Sequence, residues 1–138
     1  MNNRFSNKFI APVFSLFFTA MPTLVLAQDA AKALESYSGY LIDRSCAAQI
    51  KMDNMRQHVD PMGAINKHTR HCSLEPSCCE AGYSLYSQGK WFDLDPKGNE
   101  MAKKLFEASK KETGQLFKIQ GVFKRNELRV SNIAEVAK

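Results

Sequence analysis

A mainly β domain with some α content, interrupted after its first strand by a long cysteine-bearing insertion, is what this sequence predicts. Three observations predict it. Short runs rich in aromatic and β-branched residues stand at residues 37–43, 83–86, 90–94, 116–124 and 128–133. One helical pattern stands between the third and fourth of these runs. All four cysteines and all three histidines fall between the first run and the second.

Ahead of the first run, residues 1–27 read as a signal peptide. Arg4 and Lys8 give a positive start, residues 9–26 are apolar and uncharged, and Val25-Leu26-Ala27 ends on the small residue a signal peptidase accepts. The rival is a retained transmembrane anchor, since the run approaches the ~20 apolar residues that span a bilayer. Pro12, Pro22, Ser15, Thr19 and Thr23 weaken such a helix, and no cysteine follows the cut to carry a lipid. Cleavage leaves about 110 residues, periplasmic or secreted and without a stable membrane anchor, enough for one domain. The expected organisation is a leader over 1–27, an arm over 28–36, and a single domain over 37–138 with its insertion at 44–82.

The formal net charge of +5 owes two units to the leader. A nucleic-acid binder would carry a basic stripe interleaved with aromatics. Here Lys103-Lys104 and Lys110-Lys111 alternate with acids, as on a solvated helix face. Nucleic acid is therefore not expected as a partner; the partner itself stays open, with a protein or a small molecule as the candidate ligands.

Each element has its own grounds. Residues 37–43 (Tyr-Ser-Gly-Tyr-Leu-Ile-Asp) suit a strand, with Gly39 marking a bend or a close backbone approach. Residues 45–58 suit a helix capped by Ser45, with Ala48, Met52 and Met55 on one face. Asp60-Pro61-Met62-Gly63 stops it, and a second irregular or helical stretch over 64–71 leads to the cysteines. Residues 83–86 and 90–94 flank Ser87-Gln88-Gly89 as a hairpin. After a turn at Asp95-Pro96-Lys97-Gly98, Asn99 is placed to cap a helix over 100–113 that presents Met101, Leu105 and Ala108. Gly114 suits a left-handed exit. Residues 116–124 alternate, with Gly121 as a bulge, and Arg125-Asn126 turns the chain into the last strand.

Strand, insertion, strand, strand, helix, strand, strand is the order of a five-stranded OB barrel, in which a helix joins strands 3 and 4. Another small α+β arrangement, with the helix on an antiparallel sheet, is the alternative. The expected fold is thus mainly β: an OB-like barrel with a disulfide-stapled helical or irregular insertion after strand 1.

Gly39-Tyr40-Leu41-Ile42-Asp43-Arg44-Ser45-Cys46, then Cys72 and Cys79 ahead of Gly82, then a hairpin, resembles a group of small exported bacterial OB-fold-like domains with a cysteine-bearing insertion. Residues 116–121 and 128–133 look like that group's last two strands. The resemblance implies a fold and a compartment rather than an activity. The adjacent pair Cys78-Cys79 and the Met/His-rich insertion depart from it and leave the cysteine pairing open.

Three chemistries fit the cysteines. In an exported domain the leading one is structural disulfides among Cys46, Cys72, Cys78 and Cys79, with three possible connectivities and no cofactor. The second is soft-metal binding, copper before zinc, by Met52, Met55, His58, His68, His71 and Cys72, with Met62 nearby. The third is thiol–disulfide exchange at Cys78-Cys79, which lacks the C-x-x-C spacing and has Glu75 and Glu80 beside it. Tyr83, Tyr86 and Trp91 form a candidate ligand platform, competing with a core role. No G-x-S-x-G, phosphate-cradling glycine loop or H-E-x-x-H occurs, and no catalytic residue is assigned. The expected function is a disulfide-stabilised binding or structural module rather than an enzyme. Its alternatives are a periplasmic copper-binding protein and a thiol-exchange accessory.

Overall fold

A computed structural model describes residues 33–136. The expected leader and most of the arm lie outside the described residues. The elements are β1 (Glu35–Asp43), α1 (Arg44–Gln57), α2 (Pro61–Ile65), α3 (Arg70–Leu74), α4 (Pro76–Ala81), β2 (Tyr83–Ser87), β3 (Lys90–Leu94), α5 (Pro96–Ala108), β4 (Leu116–Lys124) and β5 (Glu127–Glu135). Among the described residues no helix is long and apolar enough to cross a membrane.

β1 pairs with both β2 and β4, β2 with β3, and β4 with β5, all antiparallel; a short parallel pairing of β3 with β5 closes the ring. β1 serves two neighbours because Gly39 lets the backbone fold tightly: a Cβ there would lie 2.0 Å from the carbonyl oxygen of Tyr86. The register of β4 against β5 slips between Gln120 and Gly121, as a bulge requires. Arg125 and Asn126 turn the chain with φ of 55° and 67°, the pattern of a tight hairpin.

Two expectations about the class are corrected. The fold is α+β rather than mainly β: helices of 14, 5, 5, 6 and 13 residues outweigh strands of 9, 5, 5, 9 and 9. The disulfide staple is absent, for all four cysteines are free. The insertion is instead held by short helices, each begun by its own cap or proline.

Helix boundaries moved for a common reason, the cap. Asp43 rather than Ser45 caps α1, and Asp60 caps α2 rather than merely ending α1. Asp95, expected in a turn, caps α5, with Pro96 at its first position. Asn99 then lies inside α5, where its side-chain oxygen accepts from the Tyr83 amide at 2.9 Å. α5 ends at Ala108, so Gly114, at φ +65°, serves the following loop instead of a helix exit.

The main core fills the space between the sheet and α5: Leu41, Tyr83, Leu85, Leu94, Phe106, Phe117, Ile119 and Leu128 are all almost fully buried. Each such side chain contributes about 1.5–3 kcal/mol. A smaller cluster of Ile42, Ala47, Ile50 and Ile65 seats α1 and α2 on the far side of β1. The insertion is also tied to the loop after α5. Thr69 bridges Thr113, and the Arg70 and His71 amides donate to the Glu112 backbone and side chain.

Candidate metal centre

Asp43 ends β1 and begins the insertion, and its two carboxylate oxygens have separate duties. Oδ1 accepts from the Cys46 amide at 2.9 Å and caps α1. Oδ2 meets Nε2 of His68 at 2.9 Å. The residue is completely buried. Burial by itself would raise its pKa, but the hydrogen bonds from His68 and from Cys46, with the attraction of His68, outweigh it and hold the carboxyl at about 2.

Around that carboxylate the insertion gathers three more donors. Cys46 lies in the first turn of α1, His68 in the link between α2 and α3, and Cys72 in the first turn of α3, where its amide donates to Thr69 Oγ1 at 3.0 Å. One ligand atom each from Asp43, Cys46, His68 and Cys72 lies within 4.8 Å of all the others. The Cys46 and Cys72 sulfurs are 3.8 Å apart. That is far beyond the roughly 2.05 Å of a disulfide. It matches the edge of a tetrahedron, since two sulfurs each about 2.3 Å from a zinc ion stand about 3.8 Å from one another.

The surroundings fit a cation as well. Nδ1 of His68, turned away from Asp43, faces the buried Ser73 hydroxyl at 3.5 Å. Such an outer partner fixes which ring nitrogen is free to ligate. A cavity of about 460 Å³, lined by Cys46, Ile50, Asp53, Lys67, His68 and Cys72 among others, leads to the donors from solvent. Burial, then the charge of Asp43 and hydrogen bonding to Cys72, push the Cys46 thiol up to about 12. A bound cation reverses that electrostatics and deprotonates a coordinating thiol. At Cys78-Cys79, where thiol exchange is the expectation, burial, then the charge of Asp43, push the Cys78 thiol up to about 11, which makes it a poor nucleophile.

The expected ligands divide. His68 and Cys72 belong to the cluster. Met52 and Met55 lie on the exposed side of α1, at 36 % and 70 % exposure. His58 is the exposed left-handed residue that ends α1, and His71 reaches outward to Glu75 at 3.0 Å. Met62 packs on the smaller hydrophobic cluster. In place of these, Asp43 and Cys46 complete the donor set. The expectation of no cofactor is corrected by this cluster, and so is that of a module whose cysteines serve as disulfides. A sequence signal for it was present. A capping residue followed three positions later by cysteine occurs at Asp43-x-x-Cys46 and Thr69-x-x-Cys72, and both cysteines are donors.

Of the other cysteines, Cys79 Sγ is 3.5 Å from both the Ser73 carbonyl and the Tyr83 hydroxyl, on the side of the main core. Tyr83 itself is buried in the main core and donates to the Ser73 carbonyl at 2.8 Å, so its ring faces no solvent. The Tyr86 and Trp91 rings meet at a tilt of 52° with centroids 4.8 Å apart, and Lys51 Nζ lies over the Trp91 ring at 5.1 Å.

No family model matches the chain, and neither a curated protein nor a solved structure matches it. The resemblance to exported OB-fold-like domains is corrected accordingly: with helix content above strand content and free cysteines, the chain is not assigned to that group.

Proposed function

We propose that this is an exported metal-binding protein that holds one divalent ion of the zinc class through Asp43, Cys46, His68 and Cys72. The single observation that carries it is the convergence of four ligand atoms within 4.8 Å, two of them thiols at the spacing of a tetrahedral edge. Copper(I), favoured by a set rich in thioethers, loses ground because the methionines lie outside the cluster and an oxygen donor lies within it. Four protein donors close a tetrahedron, the mark of a site that keeps or carries its ion rather than one that opens a position to substrate. The leader-like residues 1–27 support export.

The test is a competition titration of the reduced full chain with Zn²⁺ against a chromophoric chelator. One equivalent should bind, and Co²⁺ as a coloured stand-in should show tetrahedral absorption with sulfur charge transfer. Zinc held no more tightly by wild type than by a Cys46→Ser, Cys72→Ser double variant would end the proposal.

A further inference from the structure

A second cavity, of about 660 Å³, opens on the sheet and shares no residue with the one at the donors. Three rings form its apolar wall: Tyr37 of β1, Phe92 of β3 and Phe123 of β4. Each is half-buried and packs on the main core. Phe92 joins them, tilted against Tyr37 at 5.0 Å and edge-on to Phe123 at 5.5 Å. Rings set at such angles make a cup rather than a flat platform.

The rest of the lining is polar and carries both signs of charge. Glu35, Gln88 and Lys90 are exposed at the edge of the cup. The Tyr37 hydroxyl donates to Glu35 Oε2 at 2.6 Å and so holds the carboxylate there. Among the described residues no carboxylate pairs with Lys90.

Size and charge together name the ligand. Sites for small molecules run from about 300 to 1,000 Å³ and are mostly apolar, with a few placed polar groups. An acid and a base on one rim disfavour a ligand of single charge and favour one that carries both signs. Glu35 and Lys90 belong to β1 and β3, which have β2 between them, so the two strands run about 9–10 Å apart. The charged groups of a single amino acid are too close together to meet both. Two or three extended residues, at about 3.3–3.6 Å each, reach across.

We propose that this cavity binds apolar peptides of two or three residues with both ends free, the ammonium at Glu35, the carboxylate at Lys90 and the side chains in the cup. Gln88 offers the peptide bond both a donor and an acceptor. The site is independent of the metal-binding reading.

The experiment titrates the full chain with the tripeptide Leu-Phe-Leu and follows the emission of Trp91, the single tryptophan and part of the cavity wall. Ligand-detected NMR gives a second readout. Saturable binding is expected, and triglycine, which has the termini without the apolar side chains, should not bind. Amidating the carboxylate of the probe should weaken it about fivefold, as should acetylating the amine, each the worth of one exposed ion pair. On Lys90→Gln the amide and the free acid should bind equally, and on Glu35→Gln the acetylated and free amines should. Both positions are exposed, so neither variant disturbs the core. A dissociation constant above about 1 mM for the free tripeptide overturns the site. Indifference to either end block overturns the peptide assignment. Triglycine bound as tightly as the probe overturns the role of the cup.

Discussion

Among the described residues, eleven buried hydrophobic side chains fill the core between the sheet and α5, whereas the insertion and the strand end beneath it share four. The contrast extends to local structure. The sheet is laced by pairing around a ring, while α2, α3 and α4 have only five, five and six residues. Helices that short do not persist without outside support. The sheet can stand on apolar burial. The insertion stands on caps, on ties to Glu112 and Thr113, and on a polar cluster that an ion bound as proposed would stabilise further. On the proposed function, the part that folds and the part that binds are separate in this domain.

The sharpest way to break this comparison is to damage the sheet alone. Phe117 is fully buried in the main core against Phe106. Phe117→Ala should cost about 3–5 kcal/mol in denaturant unfolding. Zinc affinity of the molecules that remain folded should be unchanged. An affinity loss comparable to that of a ligand variant would show that the two regions are not separate.

The converse variant is Cys72→Ser. Losing even an outer partner of a ligand weakens a metal by about 10–100-fold, so losing the ligand should weaken zinc by more than about 100-fold. Metal-free unfolding should move by less than about 1 kcal/mol, because serine fills nearly the same space.

Acid should act at the junction of the two regions. In the metal-free protein the Asp43 pKa is about 2 against an ordinary 3.8. A carboxyl depressed by folding stabilises above its unfolded value, and that contribution disappears as pH falls through the folded one. About 2 kcal/mol should therefore be present above pH 4 and gone near pH 2. Asp43→Asn keeps the cap of α1 and should flatten this part of the pH profile; a profile unchanged in the variant would assign the acid sensitivity elsewhere.

The smallest effect is local. Gly63 lies in α2 with open space where a Cβ would be. Gly63→Ala should slow amide exchange in α2 by an amount worth up to about 1 kcal/mol, and leave the most protected amides of the sheet as they were. Faster exchange in α2 would contradict the geometry.

How much of this was legible in the sequence depended on whether the signal was local. The hairpin at Gly89, the bulge at Gly121 and the turn at Arg125-Asn126 were readable because a few adjacent residues decide each. Helix starts were misplaced wherever an aspartate at a strand end or a turn proved to be a cap, as with Asp43 and Asp95. Half of the donor set was readable, since His68 and Cys72 were suspected for their softness and proximity. Asp43 reads as the end of a strand, and although the cap-x-x-Cys spacing links Asp43 to Cys46 and Thr69 to Cys72, no spacing joins Cys46 to His68, 22 residues away. Only the folding of α1 and α2 against β1 brings these atoms together. The methionines misled for the opposite reason: sharing a helix face with Ala48 did not turn them toward the site.

The break between α1 and α2 has a consequence for the chain's freedom to change length. Asp43 and Cys46 precede it, His68 and Cys72 follow it, and the three residues between the helices, His58 to Asp60, are exposed. The donors thus arrive as two pairs on two separate runs of chain. Lengthening an exposed loop costs only about 0.6 kcal/mol per doubling. Extra sequence spliced in after Val59 should be carried without disturbing either pair, so this exposed position offers a graft point for a peptide or a small domain.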